Sequence, residues 1–177
     1  LQTKNILLIG DSLVEYGDWQ SWLTPYKAIN LGVAGETVEG LYERLPYIVE
    51  QFANAWIFVF MSGINNVAVQ ELDFLPLYRQ IIRYVKTSSS LSYIIVCSLL
   101  PVNVEFISNS QIKKINIKLS DICEQENVYF LDIFEEFLNP DNTVKSQYLL
   151  SDGIHLSRKG YRKWCQKLKE TIKALER

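Results

Sequence analysis

The sequence holds a single histidine, His155, and only three cysteines, Cys97, Cys123 and Cys165, in 177 residues. The cysteines are odd in number, widely separated and form no C-x-x-C pair, so neither a zinc site nor a disulfide framework is indicated. Cys97 falls in a strand-like run and Cys123 and Cys165 on the apolar stripes of helix-like segments, where a free thiol behaves as a small hydrophobe. A reducing, intracellular setting fits them. No apolar run approaches the ~20 residues that a bilayer-spanning helix needs. Eighteen basic residues against 20 acidic ones leave a net charge of −2 with no Lys/Arg block, which gives no footprint for nucleic acid or an anionic membrane surface. Linkers, internal repeats and low-complexity tracts are also missing. The chain begins at Leu1 rather than Met, which leaves a removed signal peptide open beside the cytoplasmic expectation.

What is present is an alternation of short apolar runs and helix-spaced stripes. Ile6–Ile9, Ala28–Leu31, Trp56–Met61, Tyr93–Leu99 and Val128–Leu131 read as strands,. Val38, Leu41, Leu45, Ile48 and Phe52 form one amphipathic stripe over Thr37–Phe52, where Pro46 predicts a kink or restart,. Leu77, Ile81 and Val85 mark a second helix, and Ile112, Ile115, Leu119 and Ile122 a third. Tyr161, Cys165, Leu168, Ile172 and Leu175 mark the last, with Ser157 as its N-cap,. Strands alternating with helices predict one domain over residues 1–177, of the doubly wound α/β class with a five-stranded parallel sheet. In that class ligands bind outside the carboxyl ends of the strands, here the loops opening at Gly10, Gly32, Gly63, Pro101 and Asp132.

Three of those loops and one later segment carry chemistry-bearing residues. "GDSL" places Ser12 just after the first strand. Its S-x-x-E spacing to Glu15 fits a capping box, and its place at a strand end fits a nucleophile. In "DGIH", Asp152 precedes His155 by three residues. A serine hydroxyl attacks poorly until an imidazole takes its proton, and a carboxylate fixes that imidazole's tautomer; a cap for the following turn is the plainer reading. "NLGVAGET" puts Gly32 and Gly35 in a strand-to-helix turn, either a left-handed turn or a backbone N–H donor for a developing oxyanion,. "GINN" offers the Asn65 amide for the same purpose, or an ordinary Asn turn,.

Taken in order, "IGDSL", "NLGVAGET", "GINN" and "DGIHLSRKGY" resemble the four blocks of the GDSL or SGNH hydrolases. The third block departs slightly, with Asn66 where Asp is more usual. A second glycine after Ser12, as in the G-x-S-x-G elbow of α/β-hydrolases, is absent. The resemblance implies a flavodoxin-like three-layer α/β/α sandwich and a serine esterase acting through an acyl-enzyme. Ser12 would be the nucleophile, His155 the base and Asp152 its partner. The Ser12 and Gly35 N–H groups and the Asn65 amide would hold the oxyanion. Asp11, Asn66 and Trp19 are candidate substrate contacts. No metal or cofactor is required, the partner is a small-molecule ester, and family analogy suggests a homodimer. Short connections with little room for a lid favour small acyl groups. Two rivals stand beside this reading. One is a carbohydrate O-acetylesterase with Trp19, Trp22 and Tyr26 lining the acceptor pocket, and the other a catalytically silent small-ligand-binding module.

Overall fold

A computed structural model describes residues 4–176; the first three residues and the last of the expected domain lie outside the described residues. Five strands, β1 (Asn5–Gly10), β2 (Lys27–Gly32), β3 (Ile57–Met61), β4 (Tyr93–Cys97) and β5 (Tyr129–Leu131), form one sheet. Their order is β2-β1-β3-β4-β5 and every pairing is parallel. That is the flavodoxin-like order. The helices are α1 (Ser12–Glu15), α2 (Trp19–Trp22), α3 (Val38–Phe52), α4 (Ile64–Ala68), α5 (Leu75–Ser88), α6 (Asn109–Glu126) and α7 (Arg158–Leu175). Helix α3 packs on α5 and α5 on α6, whereas α2 packs on α7, so the sheet lies between two helical layers.

Burial explains why the central strands read most plainly among the five. Every residue of β3 is buried, as are all of β1 after Asn5; a central parallel strand is covered on both faces and is apolar throughout. β2 lies at the sheet edge and keeps an exposed Lys27 and Asn30 within "KAINLG". β4 stops at Cys97, not at Leu99, because a side chain takes over the Leu99 backbone. The Asn116 Oδ1 accepts from the Leu99 N–H at 2.8 Å and its Nδ2 donates to the Leu99 carbonyl at 2.9 Å.

Two further expectations are corrected. The helix containing Pro46 neither breaks nor restarts: α3 is continuous over Val38–Phe52. The carbonyl that Pro46 leaves without an N–H partner is that of Tyr42, four residues earlier on the solvent-facing side,. Nor are all connections short. Residues 132–157 separate β5 from α7, and two 3₁₀ turns and the Leu138–Val144 and Leu149–Leu156 bridges fold this segment back on itself. It carries Asp152 and His155. Among the described residues, no helix is long and apolar enough to cross a membrane.

Register brings the chemistry to one edge. Gly10 pairs with both Gly32 and Met61, and Cys97 with Leu131, so the carboxyl ends of the strands are level. The loops bearing Ser12, Gly35 and Asn65 leave β1, β2 and β3 side by side.

Candidate active site

Beyond Gly10 the chain turns directly into α1. Asp11, in extended conformation, is its N-cap, and the Leu13 N–H donates to Asp11 Oδ1 at 2.9 Å. The capping box expected at Ser12 is thereby corrected: Ser12 is the first helical residue, and a cap must precede the helix. Glu15 accepts instead from the Ala34 N–H at 2.8 Å, tying α1 to the turn after β2. The Ser12 hydroxyl lies 3.0 Å from His155 Nε2. The back of α1 is held by the Tyr161 hydroxyl, which donates to the Leu13 carbonyl at 2.9 Å, and by Trp19 Nε1, which donates to the Val14 carbonyl at 2.7 Å.

His155 is set by the turn that begins at Asp152. Asp152 Oδ1 accepts from the Ile154 and His155 N–H groups, each at 2.9 Å, and Oδ2 lies 2.8 Å from His155 Nδ1. The Ile154 N–H leads in pulling the Asp152 carboxyl down to about 2, with the His155 ring and N–H adding and partial burial opposing,. An ionised carboxylate can only accept, so Nδ1 carries the proton and Nε2 turns its lone pair to Ser12. Tyr16 packs its ring 5.4 Å from the imidazole.

The turn after β2 and the start of α4 complete the edge. Gly35 has φ +77, a left-handed conformation, and a Cβ there would meet open space; the glycine is required by its backbone angle rather than by crowding,. Asn65 Nδ2 donates one hydrogen to the Glu36 carbonyl at 2.9 Å, which orients the amide and leaves its second hydrogen available. The Ser12 and Gly35 N–H groups donate to no acceptor among the described residues. The structure therefore brings Ser12, Asp152 and His155 into one hydrogen-bonded line and sets Gly35 and Asn65 on either side of Glu36.

The three candidate substrate contacts are buried and do not face the cleft side of Ser12. Trp19 is buried in the core, edge-on to Trp164 with ring centroids 4.7 Å apart. Its wedge against α7 removes it from any acceptor surface. Trp22 is half-buried beside α7, and Tyr26 packs on Trp56 at the amino end of the sheet, so neither lines the site. Asn66 is fully buried. Its Oδ1 accepts from the Val38 N–H at 3.0 Å and its Nδ2 donates to Glu39 at 2.8 Å, which joins α4 to the start of α3. Asp11 is fully buried beneath Ser12. Burial pushes its carboxyl up to about 7, with Glu36 adding, against the Leu13 N–H and His155,.

Sequence reasoning missed Arg44 and Glu36. Arg44 lies three residues from Leu41 and four from Ile48, on a helix that otherwise reads as a plain apolar stripe. A charged residue set beside that stripe is the one signal that could have found it.

Residues 8–163 match the GDSL-like lipase/acylhydrolase family. Platelet-activating factor acetylhydrolase IB subunit alpha2 of Rattus norvegicus is 27% identical over 180 residues, covering 97% of this chain and 77% of that protein. A Streptococcus pneumonia structure assigned as a platelet activating factor superposes with a TM-score of 0.86 at 26% identity, over 97% of this chain and 85% of that one. A Clostridium thermocellum family 3 carbohydrate esterase shares the fold, with a TM-score of 0.78 at 18% identity over 99% and 98% of the two chains.

Proposed function

The chain belongs to the GDSL-like lipase/acylhydrolase family and is an ester hydrolase of that family; from that premise we propose that it cleaves carboxylic esters of short acyl groups through an acyl-enzyme on Ser12. The carrying observation is the line from Ser12 Oγ to His155 Nε2 at 3.0 Å and from Nδ1 to Asp152 at 2.8 Å. His155 takes the hydroxyl proton as Ser12 Oγ bonds to the acyl carbon. The carbonyl oxygen becomes an oxyanion facing the Ser12 and Gly35 N–H groups and the free hydrogen of the Asn65 amide. As the intermediate collapses, the ester C–O bond breaks and His155 returns its proton to the departing alkoxide. Water then attacks the acyl-enzyme with His155 again the base; the bond from the acyl carbon to Ser12 Oγ breaks, the acid leaves and His155 returns the proton to Ser12.

Acetyl-sized groups are favoured by the similarity to proteins named as acetylhydrolases. The carbohydrate reading finds no aromatic platform beside Ser12, because Trp19 lies in the core, Trp22 beside α7 and Tyr26 at the amino end of the sheet. A fluorophosphonate probe is expected to label the wild-type chain and not Ser12→Ala, and p-nitrophenyl esters are expected to react fastest at two to four acyl carbons or so. Activity falls on the acid side, because a protonated His155 cannot accept the Ser12 proton. Labelling that persists in Ser12→Ala would remove the nucleophile; a rate rising steadily with chain length would remove the short-acyl assignment.

A further inference from the structure

The Glu36 carboxylate is nearly enclosed, with its side chain 7% exposed. Among the described residues it faces one cation, Arg44, whose Nη2 donates to Glu36 Oε2 at 2.6 Å while Nε donates to Oε1. A forked pair of this kind fixes direction as well as distance. The same guanidinium reaches the carboxyl ends of two strands: Nη2 donates to the Leu31 carbonyl at 2.8 Å and makes a longer contact with the Gly10 carbonyl at 3.5 Å. Gly10 also accepts from the Val33 N–H at 2.8 Å.

All three oxyanion donors lead to this pair. Gly35 immediately precedes Glu36. The Glu36 carbonyl accepts from Asn65. Ser12 follows Gly10 by two residues, and Gly10 is where Arg44 and Val33 both converge. We propose that Arg44 and Glu36 are the positioning pair of the oxyanion hole, holding the Gly35 and Asn65 donors in register with the Ser12 N–H without touching substrate. The inference rests on the Ser12 ester-hydrolysis reading. Its logic is that an oxyanion is stabilised only by donors already aimed at it, so loosening the turn weakens the transition state more than the ground state.

Arg44→Met, Arg44→Lys, Glu36→Gln and the Arg44→Met/Glu36→Gln double variant test it, with p-nitrophenyl acetate kinetics normalised to fluorophosphonate-titrated sites and with thermal unfolding. kcat is expected to fall about 10–100-fold in Arg44→Met and Glu36→Gln, less than the 10²–10³ that deleting a donor costs, while KM moves less than about threefold. Arg44→Lys keeps the charge without the fork and should recover part of the loss. The double variant should be no slower than the slower single variant, because the two residues act as a unit. The acid limb of the pH profile should stay where it is, since the His155–Asp152 pair is untouched. Should Arg44→Met fail to fold, Glu36→Gln carries the test, as it preserves shape and the backbone carbonyl. A wild-type kcat in folded Glu36→Gln overturns the proposal, as does a loss confined to KM. A wild-type chain with no Ser12-dependent ester turnover overturns the ester-hydrolysis reading itself, and this proposal with it.

Discussion

Asp11 and Asp152 carry the same side chain into opposite surroundings. Asp11 lies beneath Ser12 with one oxygen accepting from Leu13 and Oδ2 meeting no partner among the described residues; burial pushes it up to about 7. Asp152 is half-exposed and collects two backbone N–H groups and the imidazole, which hold it near 2. The two leave opposite marks on stability. Asp11 keeps its proton in the folded chain up to about pH 7, whereas the unfolded chain releases it near 3.8. Between those values the folded state binds more protons, so the Asp11 contribution falls as pH rises. Asp152 is ionised above about 2 when folded and 3.8 when unfolded; its stabilisation is present above pH 4 and disappears as pH falls through 2. Asp11→Asn keeps the Oδ1 acceptor and removes the charge. Urea unfolding at pH 5 and pH 7 should therefore show the variant gaining on the wild type as pH rises. An equal pH difference in both proteins would refute the buried-acid account.

The turns that carry the site differ in what their glycines tolerate. Gly153, between Asp152 and His155, has φ +73, and a Cβ there would lie 2.4 Å from the Asn103 carbonyl oxygen. Its own carbonyl accepts from the Asn103 N–H at 2.7 Å. Gly153→Ala meets both a disfavoured angle and a backbone clash, and is expected to cost about 2 kcal/mol or more. Gly35→Ala meets the angle alone, at about 1 kcal/mol. Thermal unfolding of the two variants should rank them in that order, and equal losses would contradict the crowding at Asn103. Covered strands are legible in the sequence, and contacts between distant elements are not. β1 and β3 are legible because both faces are covered and every position is apolar. Ser12, Asp152 and His155 are legible because one histidine, one Asp three residues before it and a serine at a strand end leave few assignments. The cap at α1 is ambiguous by one residue, since Asp and Ser both cap and only backbone angles choose. Trp19 sits among polar neighbours in "GDWQSW", which leave a core ring and a pocket ring both open; its burial is decided by Tyr161 and Trp164 on α7, at the other end of the chain. Arg44 beside the α3 stripe is a local signal, but its pairing with Glu36 follows from how α3 lies across the ends of β1 and β2.

At the scale of the molecule, the site depends on both ends of the chain meeting. Ser12 follows the first strand, and His155 comes 143 residues later, just before the last helix. One buried core runs through the sheet and both helical layers, taking in Ile9 of β1, Val85 of α5, Leu119 of α6 and Leu168 of α7. Such continuity predicts that no layer opens alone. The cysteines report this directly, because Cys97 is on β4, Cys123 on α6 and Cys165 on α7, one in the sheet and one in each layer. Burial pushes the Cys97 and Cys123 thiols up to about 12 and raises Cys165 as well. Thiols so placed are not thiolates at neutral pH and stay unreactive in the folded chain. With a thiol reagent in increasing urea, all three should become reactive in a single transition, coincident with loss of helical circular dichroism and of fluorophosphonate labelling. If Cys165 reacted at a urea concentration where Cys123 stayed protected, α7 would be opening independently of the rest. Labelling should then fail together with Cys165 protection, since His155 sits at the entrance to that helix. Simultaneous exposure of the three thiols instead means that Ser12 and His155 stay in reach of one another for as long as the sheet and its two layers remain one cooperative unit.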